Sequence, residues 1–93
     1  METAVLNFEI DGEKFQKVGE WIKDSNKANQ IRVGKEVFWL PKSQTEEATT
    51  IHSTEETRKL ILEFAEKNSI APLSVIWYNV ESWIAEKREL NKL

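Results

Sequence analysis

The run Val37-Phe38-Trp39-Leu40-Pro41-Lys42-Ser43-Gln44 constrains the fold more than any other stretch of this chain. Four β-prone apolar residues are halted by a proline, which has no N–H for a sheet ladder and a fixed φ. The stretch therefore marks a strand end at Pro41 and sets a polar Lys-Ser corner beside a tryptophan. Both Val37/Trp39 and Phe38/Leu40 are apolar, so the strand is expected to be covered on both faces.

Upstream, Leu6, Phe8 and Ile10 alternate with Asn7 and Glu9, the period-2 pattern of a half-buried strand. Asp11-Gly12 follows, a pair that tolerates the positive φ angles of a type I′ hairpin turn. The next strand runs from about Glu13 to Lys23, with Gly19 expected as a bulge or bend. Asp24 to Lys27 is a polar turn, Asn29 to Val33 a third strand, and Gly34-Lys35 turns into Glu36 to Leu40. Tight turns between successive strands describe an antiparallel meander.

Beyond Pro41 the character changes. Ser43 to Thr50 is polar and aperiodic, which suits an exposed loop. Ser53-Thr54-Glu55-Glu56 has the spacing of a capping box, with Ser53 as N-cap. Thr57, Leu60, Ile61, Phe64 and Ala65 then form one helical stripe ending near Asn68. Leu73 to Val80 reads as a strand, with a buried helix as the alternative. Glu81 to Leu90 closes the chain as a helix with Val80, Trp83, Ile84, Lys87 and Leu90 on one face. The expected fold is α+β: a strongly bent, barrel-like antiparallel sheet with one insert helix and one C-terminal helix. It would form a single domain over 1–93, with a β-meander in 1–44, a loop and capped helix in 45–70, and a strand and helix in 71–93.

Composition narrows the function. A 93-residue chain buries only about 60–65% of the surface its unfolded form exposes, which leaves little room for a deep catalytic cleft. Cysteine is absent, so no disulfide, thiolate metal site or cysteine nucleophile is available. His52 is the sole histidine and sits in a polar stretch without a partner. No zinc or calcium ligand spacing occurs, and Gly12, Gly19 and Gly34 lie too far apart for a phosphate loop. The pairs Glu46-Glu47 and Glu55-Glu56 need no catalytic explanation in a loop and a helix first turn. The expectation is a protein that is not an enzyme and carries no cofactor or metal. No apolar stretch approaches a membrane span and no signal peptide is visible, so a soluble, cytoplasmic location, in a host cell, is expected. Thirteen basic against sixteen acidic residues, net −3, argue against a surface that grips duplex nucleic acid.

Trp39-Leu40-Pro41-Lys42-Ser43-Gln44 resembles a W-[IL]-P-K-S-Q signature of small domains common in phage and other mobile-element genomes. There the signature follows a hairpin turn similar to Arg32-Val33-Gly34-Lys35-Glu36-Val37. Those domains end in a segment that Val80-Glu81-Ser82-Trp83-Ile84-Ala85-Glu86-Lys87-Arg88-Glu89-Leu90 looks like. This chain departs from the pattern in four places. A proline before the terminal Trp is missing, and Glu89 stands where glycine is typical. A helical insert separates the two motifs, and the strand-turn-strand before Val18 looks like an addition. The group has no established activity, so the resemblance implies a genomic setting rather than a mechanism.

The candidate binding residues are Trp21, Lys35, Phe38, Trp39, Lys42, Ser43 and Gln44. Each has a plainer reading beside the functional one. Trp21, Trp39, Trp77 and Trp83 serve as core or half-core aromatics unless one is exposed for stacking. Lys42, Ser43 and Gln44 serve as strand-end chemistry unless they face a ligand phosphate or a partner carboxylate. Lys87 and Arg88 read as solvated. The first functional reading is an accessory protein that binds and modulates, as an inhibitor for example, a host protein or defence complex through a sheet edge or exposed aromatics. The second is a small barrel for single-stranded nucleic acid, with Trp21, Phe38 and Trp39 stacking and Lys23, Lys27, Arg32, Lys35 and Lys42 at phosphates. A small anionic ligand is a third reading that the residues neither support nor exclude. Exposed strand edges and a limited core also point to a homodimer.

Overall fold

Asp11 and Gly12 adopt φ of 52° and 81°, the paired positive angles of a type I′ turn, and they fold the chain back on itself. The computed structural model describes residues 2–48, 54–69 and 75–93. The turn joins β1 (Glu2–Ile10) to β2 (Glu13–Asp24) in an unbroken antiparallel register from Glu2↔Trp21 to Ile10↔Glu13. Ser25 makes the next turn, its Oγ accepting from the Ala28 amide at 3.1 Å. It leads to β3 (Ala28–Val33), and Gly34, at φ 60°, leads on to β4 (Glu36–Pro41). The meander thus follows the sequence pattern.

A 3-10 turn at Lys42–Gln44 carries the chain directly into β5 (Thr45–Ala48). Helix α1 (Glu55–Lys67) follows, then β6 (Val75–Val80), helix α2 (Ser82–Lys87) and a second 3-10 turn at Leu90–Lys92. The sheet order is β4-β3-β2-β1-β6-β5. Strands β4 and β5 lie at opposite ends of that order, yet only the three-residue turn separates them. The sheet must therefore curl, and it forms a half-barrel whose two edges converge at Pro41 and Thr45. The protein is α+β.

Ala4, Leu6 and Phe8 face the inside of the curl with Ile31, Val33, Leu40, Tyr78 and Val80. Ile84, Ala85 and Leu90 from the C-terminal segment complete this cluster, and Lys17 Nζ donates to the Leu93 carbonyl at 3.0 Å. Thr3 and Val5 point to the other face of β1 and are also buried. Helix α1 packs on β1 and β2 and supplies buried Thr57, Ile61 and Ala65 outside the inner cluster. The central strand is thus covered on both sides.

Several expectations need correction. Thr45–Ala48 is an edge strand, not loop; two successive glutamates hide its alternation. Pairing of β1 with β6 is parallel, so one pairing of an otherwise antiparallel sheet departs from the expected pattern. Gly19 is in regular register with Ala4, and the irregularity falls between Trp21 and Lys23. Gly19 serves a close approach instead: a Cβ there would stand 2.2 Å from the Arg32 carbonyl oxygen. Helix α1 is capped by Thr54, whose Oγ1 accepts from the Thr57 amide at 3.1 Å; Ser53 lies outside the described residues. The C-terminal helix stops at Lys87 because Glu89 takes a left-handed φ of 52° and turns the chain. Strand β4 is covered on one face only, since Val37 is 44% and Trp39 37% exposed. Leu73, Ser74 and His52 also lie outside the described residues.

Candidate functional site

Alternation along β4 divides its side chains between two environments. Phe38 and Leu40 turn inward, Leu40 buried and Phe38 packed against the inner cluster. Val37 and Trp39 turn outward, where no described helix covers them. Across the register Val37 lies beside Arg32 and Trp39 beside Gln30. Arg32 Nη1 donates to Glu20 Oε2 at 3.2 Å, so an ion pair borders the apolar pair. The far edge of β4 pairs with no described strand, and its backbone groups are open to an added strand.

Trp21 does not join that surface. It lies on the inner face opposite Ile31, and its Nε1 donates to Asn29 Oδ1 at 3.1 Å. The stacking trio of Trp21, Phe38 and Trp39 is therefore split, with two residues inside the curl and one outside. Lys35 is exposed in the β3–β4 turn. Lys42 Nζ donates to Asp24 Oδ2 at 2.8 Å, and this bond together with the ammonium charge holds the Asp24 carboxyl below the usual carboxylate range. Ser43 is exposed, and its Oγ accepts from Gln44 Nε2 at 3.4 Å.

Gln44 has a structural task. Its Oε1 accepts from Trp83 Nε1 at 2.9 Å, and its carbonyl accepts from the Glu81 amide at 2.9 Å. The two segments singled out in the sequence, Trp39–Gln44 and Val80–Leu90, thus meet at this residue. Trp83 itself is 52% exposed, with its indole N–H held by the glutamine.

A second feature lies at the mouth of the half-barrel. A cleft of about 390 Å³ is lined by Trp21, Asp24, Asn29, Lys42, Thr45, Glu47, Ile76 and Tyr78. Tyr78 is only 6% exposed. Burial, with a smaller contribution from the Glu47, Glu2 and Asp24 carboxylates, pushes its phenol up to about 12. Sequence reasoning passed over Asn29 and Tyr78, and set Glu47 aside as a loop acid, because the three are scattered along the chain and only the curl assembles them. A larger open groove of about 1000 Å³ lies between α1 and the β1–β2 hairpin, with Phe15, Val18, Leu60 and Phe64 in its walls. Its charged lining is mixed, Lys14, Lys17 and Lys67 with Glu9, Glu56 and Glu63, so it favours neither sign of ligand.

Among the described residues no group of three or more His, Cys, Asp or Glu side chains could hold a metal ion. No described helix is long and apolar enough to cross a membrane. The chain matches no family model, no curated protein and no solved structure.

Proposed function

We propose that the chain is a non-enzymatic accessory protein of the phage or mobile-element type, which binds a host protein or defence complex and modulates it. The contact is strand addition along β4. The observation that carries this reading is the edge of β4 that pairs with no described strand, with Val37 and Trp39 exposed on one face. In strand addition the main chain supplies affinity and alternate side chains supply specificity. Val37 and Trp39, two residues apart, offer such alternate contacts to a partner's extended segment. The meeting of the two resembling segments at Gln44 and Trp83 supports the phage-type setting.

Single-stranded nucleic acid is the competing ligand. The split of Trp21, Phe38 and Trp39 between two faces weighs against it, as do the ion pairs that occupy Arg32 and Lys42. The test is affinity capture from host lysate with wild type, Val37→Lys and Trp39→Ala, alongside anisotropy with labelled single-stranded DNA and RNA. A captured protein that both variants lose while remaining folded supports strand addition. Capture that is the same for all three proteins refutes it. Salt-sensitive nucleic-acid binding that needs Trp39 would put the second reading in its place. Light scattering reports whether a second copy occupies the β4 edge instead.

A further inference from the structure

The edge of β4 that pairs with no described strand presents a short and defined set of backbone groups. In an antiparallel ladder, facing residues alternate between pairs that exchange backbone hydrogen bonds and pairs whose N–H and C=O groups point away. The Lys42 amide donates to the Lys27 carbonyl at 2.8 Å, one position beyond the Ala28↔Pro41 pair. Every second pair from there is bonded: Asn29↔Leu40, Ile31↔Phe38 and Val33↔Glu36, the last closing the turn at Gly34-Lys35. Val37 and Trp39 therefore send their N–H and C=O groups toward the unoccupied edge. Pro41, next in that series, has no N–H, and its carbonyl already accepts from Thr45 Oγ1 at 3.1 Å. The edge thus holds two complete donor–acceptor sets, on the same residues whose side chains are exposed.

Such an edge is complementary to itself. With a two-fold axis at Phe38, Val37 of one copy faces Trp39 of the other, and the two sets exchange four main-chain hydrogen bonds. Moving the register two residues either way leaves one set facing Lys35 of the turn or Pro41. At the axis the half-buried Phe38 meets its own copy on the inner face, and Val37 packs on the facing indole on the outer one, both favourable cross-strand pairs. No like charges face each other, since Glu36 falls opposite Leu40 and Lys35 opposite Pro41. The other edge strand, β5, has four residues and carries exposed Glu46 and Glu47, charges that discourage addition of a strand. Pairing of β4 with itself is therefore closed at two copies.

We infer that the free protein pairs β4 with β4 of a second copy, in a two-fold dimer that covers Val37 and Trp39 until a partner strand displaces it. The inference rests on the strand-addition reading of β4 and adds what occupies that edge in the partner's absence. The strand has six residues, against roughly 20–30 a side in a standard interface, so the dimer is weak and exchanges readily. A cover of that strength hides the apolar edge at high concentration and still yields to a partner with more contacts.

The test is sedimentation velocity and amide NMR on the pure protein between about 20 μM and 1 mM. A sedimentation coefficient that rises with concentration is expected, with shifts centred on the Val37, Phe38 and Trp39 amides and the Trp39 indole. Val37→Pro removes an N–H that β3 does not use, hence two of the four bonds across the axis, and should weaken the dimer at least about tenfold. Trp39→Ala keeps the backbone groups but deletes both Val37–indole pairs, and should weaken it about tenfold. The spectra report whether each variant is folded, and Trp39→Ala carries the test if Val37→Pro is not. A monomer over the whole range, self-association unchanged in the folded variants, or shifts centred on Glu46 and Glu47 or on Trp83 would overturn the inference. Lysate capture is read separately. A captured partner without a dimer removes this inference and keeps strand addition by a host protein, whereas a dimer without a captured partner keeps the inference and removes the host protein.

Discussion

Replacing Gly19 by alanine tests the curl of the sheet where it is tightest. Gly19 is buried in β2 opposite Ala4, and an added Cβ would stand 2.2 Å from the Arg32 carbonyl oxygen and 2.9 Å from Val33 Cγ2. Ordinary contact begins at 3.4 Å, so the oxygen must retreat by about 1.2 Å. That oxygen belongs to the backbone of β3, where Arg32 pairs with Glu20 of β2, and cannot swing aside as a side chain would. Relief requires the two strands to separate. Overpacking of this kind costs about 1–3 kcal/mol or more, against a gain of about 0.5–1 kcal/mol from the lower chain entropy of alanine. A net loss of about 1–2 kcal/mol is expected, which lowers the thermal midpoint of a domain this size by roughly 4–16 °C. Urea unfolding should show a lower midpoint at an unchanged slope. A Gly19→Ala protein as stable as wild type would refute the close approach of β3 over β2 and the tight curl built on it.

Other perturbations separate further parts of the structure. Glu89→Gly should stabilise by about 0.5–1 kcal/mol in urea unfolding, because a left-handed φ of 52° favours glycine and the Glu89–Lys92 ion pair it removes is exposed. Thr3→Val should raise stability by about 1 kcal/mol in the same assay, since Thr3 Oγ1 is buried with no partner among the described residues. Tyr78 is the sole tyrosine, so ultraviolet titration of the folded protein reads it alone; the phenolate should form near about 12 rather than 10. The unfolded chain loses that proton first, so stability should fall as pH rises from about 10 to about 12, and Tyr78→Phe should remove this loss.

The sequence was readable wherever one local rule governs the backbone. Asp11-Gly12, Gly34 and Pro41 are punctuation with direct steric causes, and the strands between them lie where alternation placed them. The stripe of α1 emerged for the same reason, with Asn68 at its C-cap. What stayed hidden is set at long range. The Thr45–Ala48 strand exists because β6 is beside it, and its own residues carry no apolar alternation. The irregularity in β2 lies beyond Gly19 because that glycine serves a close approach. Trp39 is exposed because the outer face of β4 has no described helix over it, which neighbours along the chain cannot reveal. The sequence therefore pointed to β4, but the mouth cleft became visible only through the register of four strands.

Lys42 and Gln44 belong to the frame as much as to any site, and this separates two kinds of mutational effect. The Lys42 amide donates to the Lys27 carbonyl at 2.8 Å, while the Gln44 carbonyl and side chain hold Glu81 and Trp83. The three-residue turn thus joins the β2–β3 corner to the β6–α2 corner and draws the two sheet edges together. Gln44→Ala deletes only the side-chain acceptor. Trp83 is half exposed, so water takes over its indole N–H and the loss is about 1 kcal/mol, or roughly 4–8 °C in thermal midpoint. Val37→Lys, in contrast, changes an exposed side chain that makes no side-chain hydrogen bond among the described residues, and should leave the midpoint nearly unchanged. If partners add to β4, Val37→Lys abolishes their binding at wild-type stability, whereas Gln44→Ala lowers stability and keeps binding at temperatures where it is folded. The opposite pattern, with binding lost in folded Gln44→Ala and kept in Val37→Lys, would move the contact from the strand edge to the Lys-Ser-Gln corner.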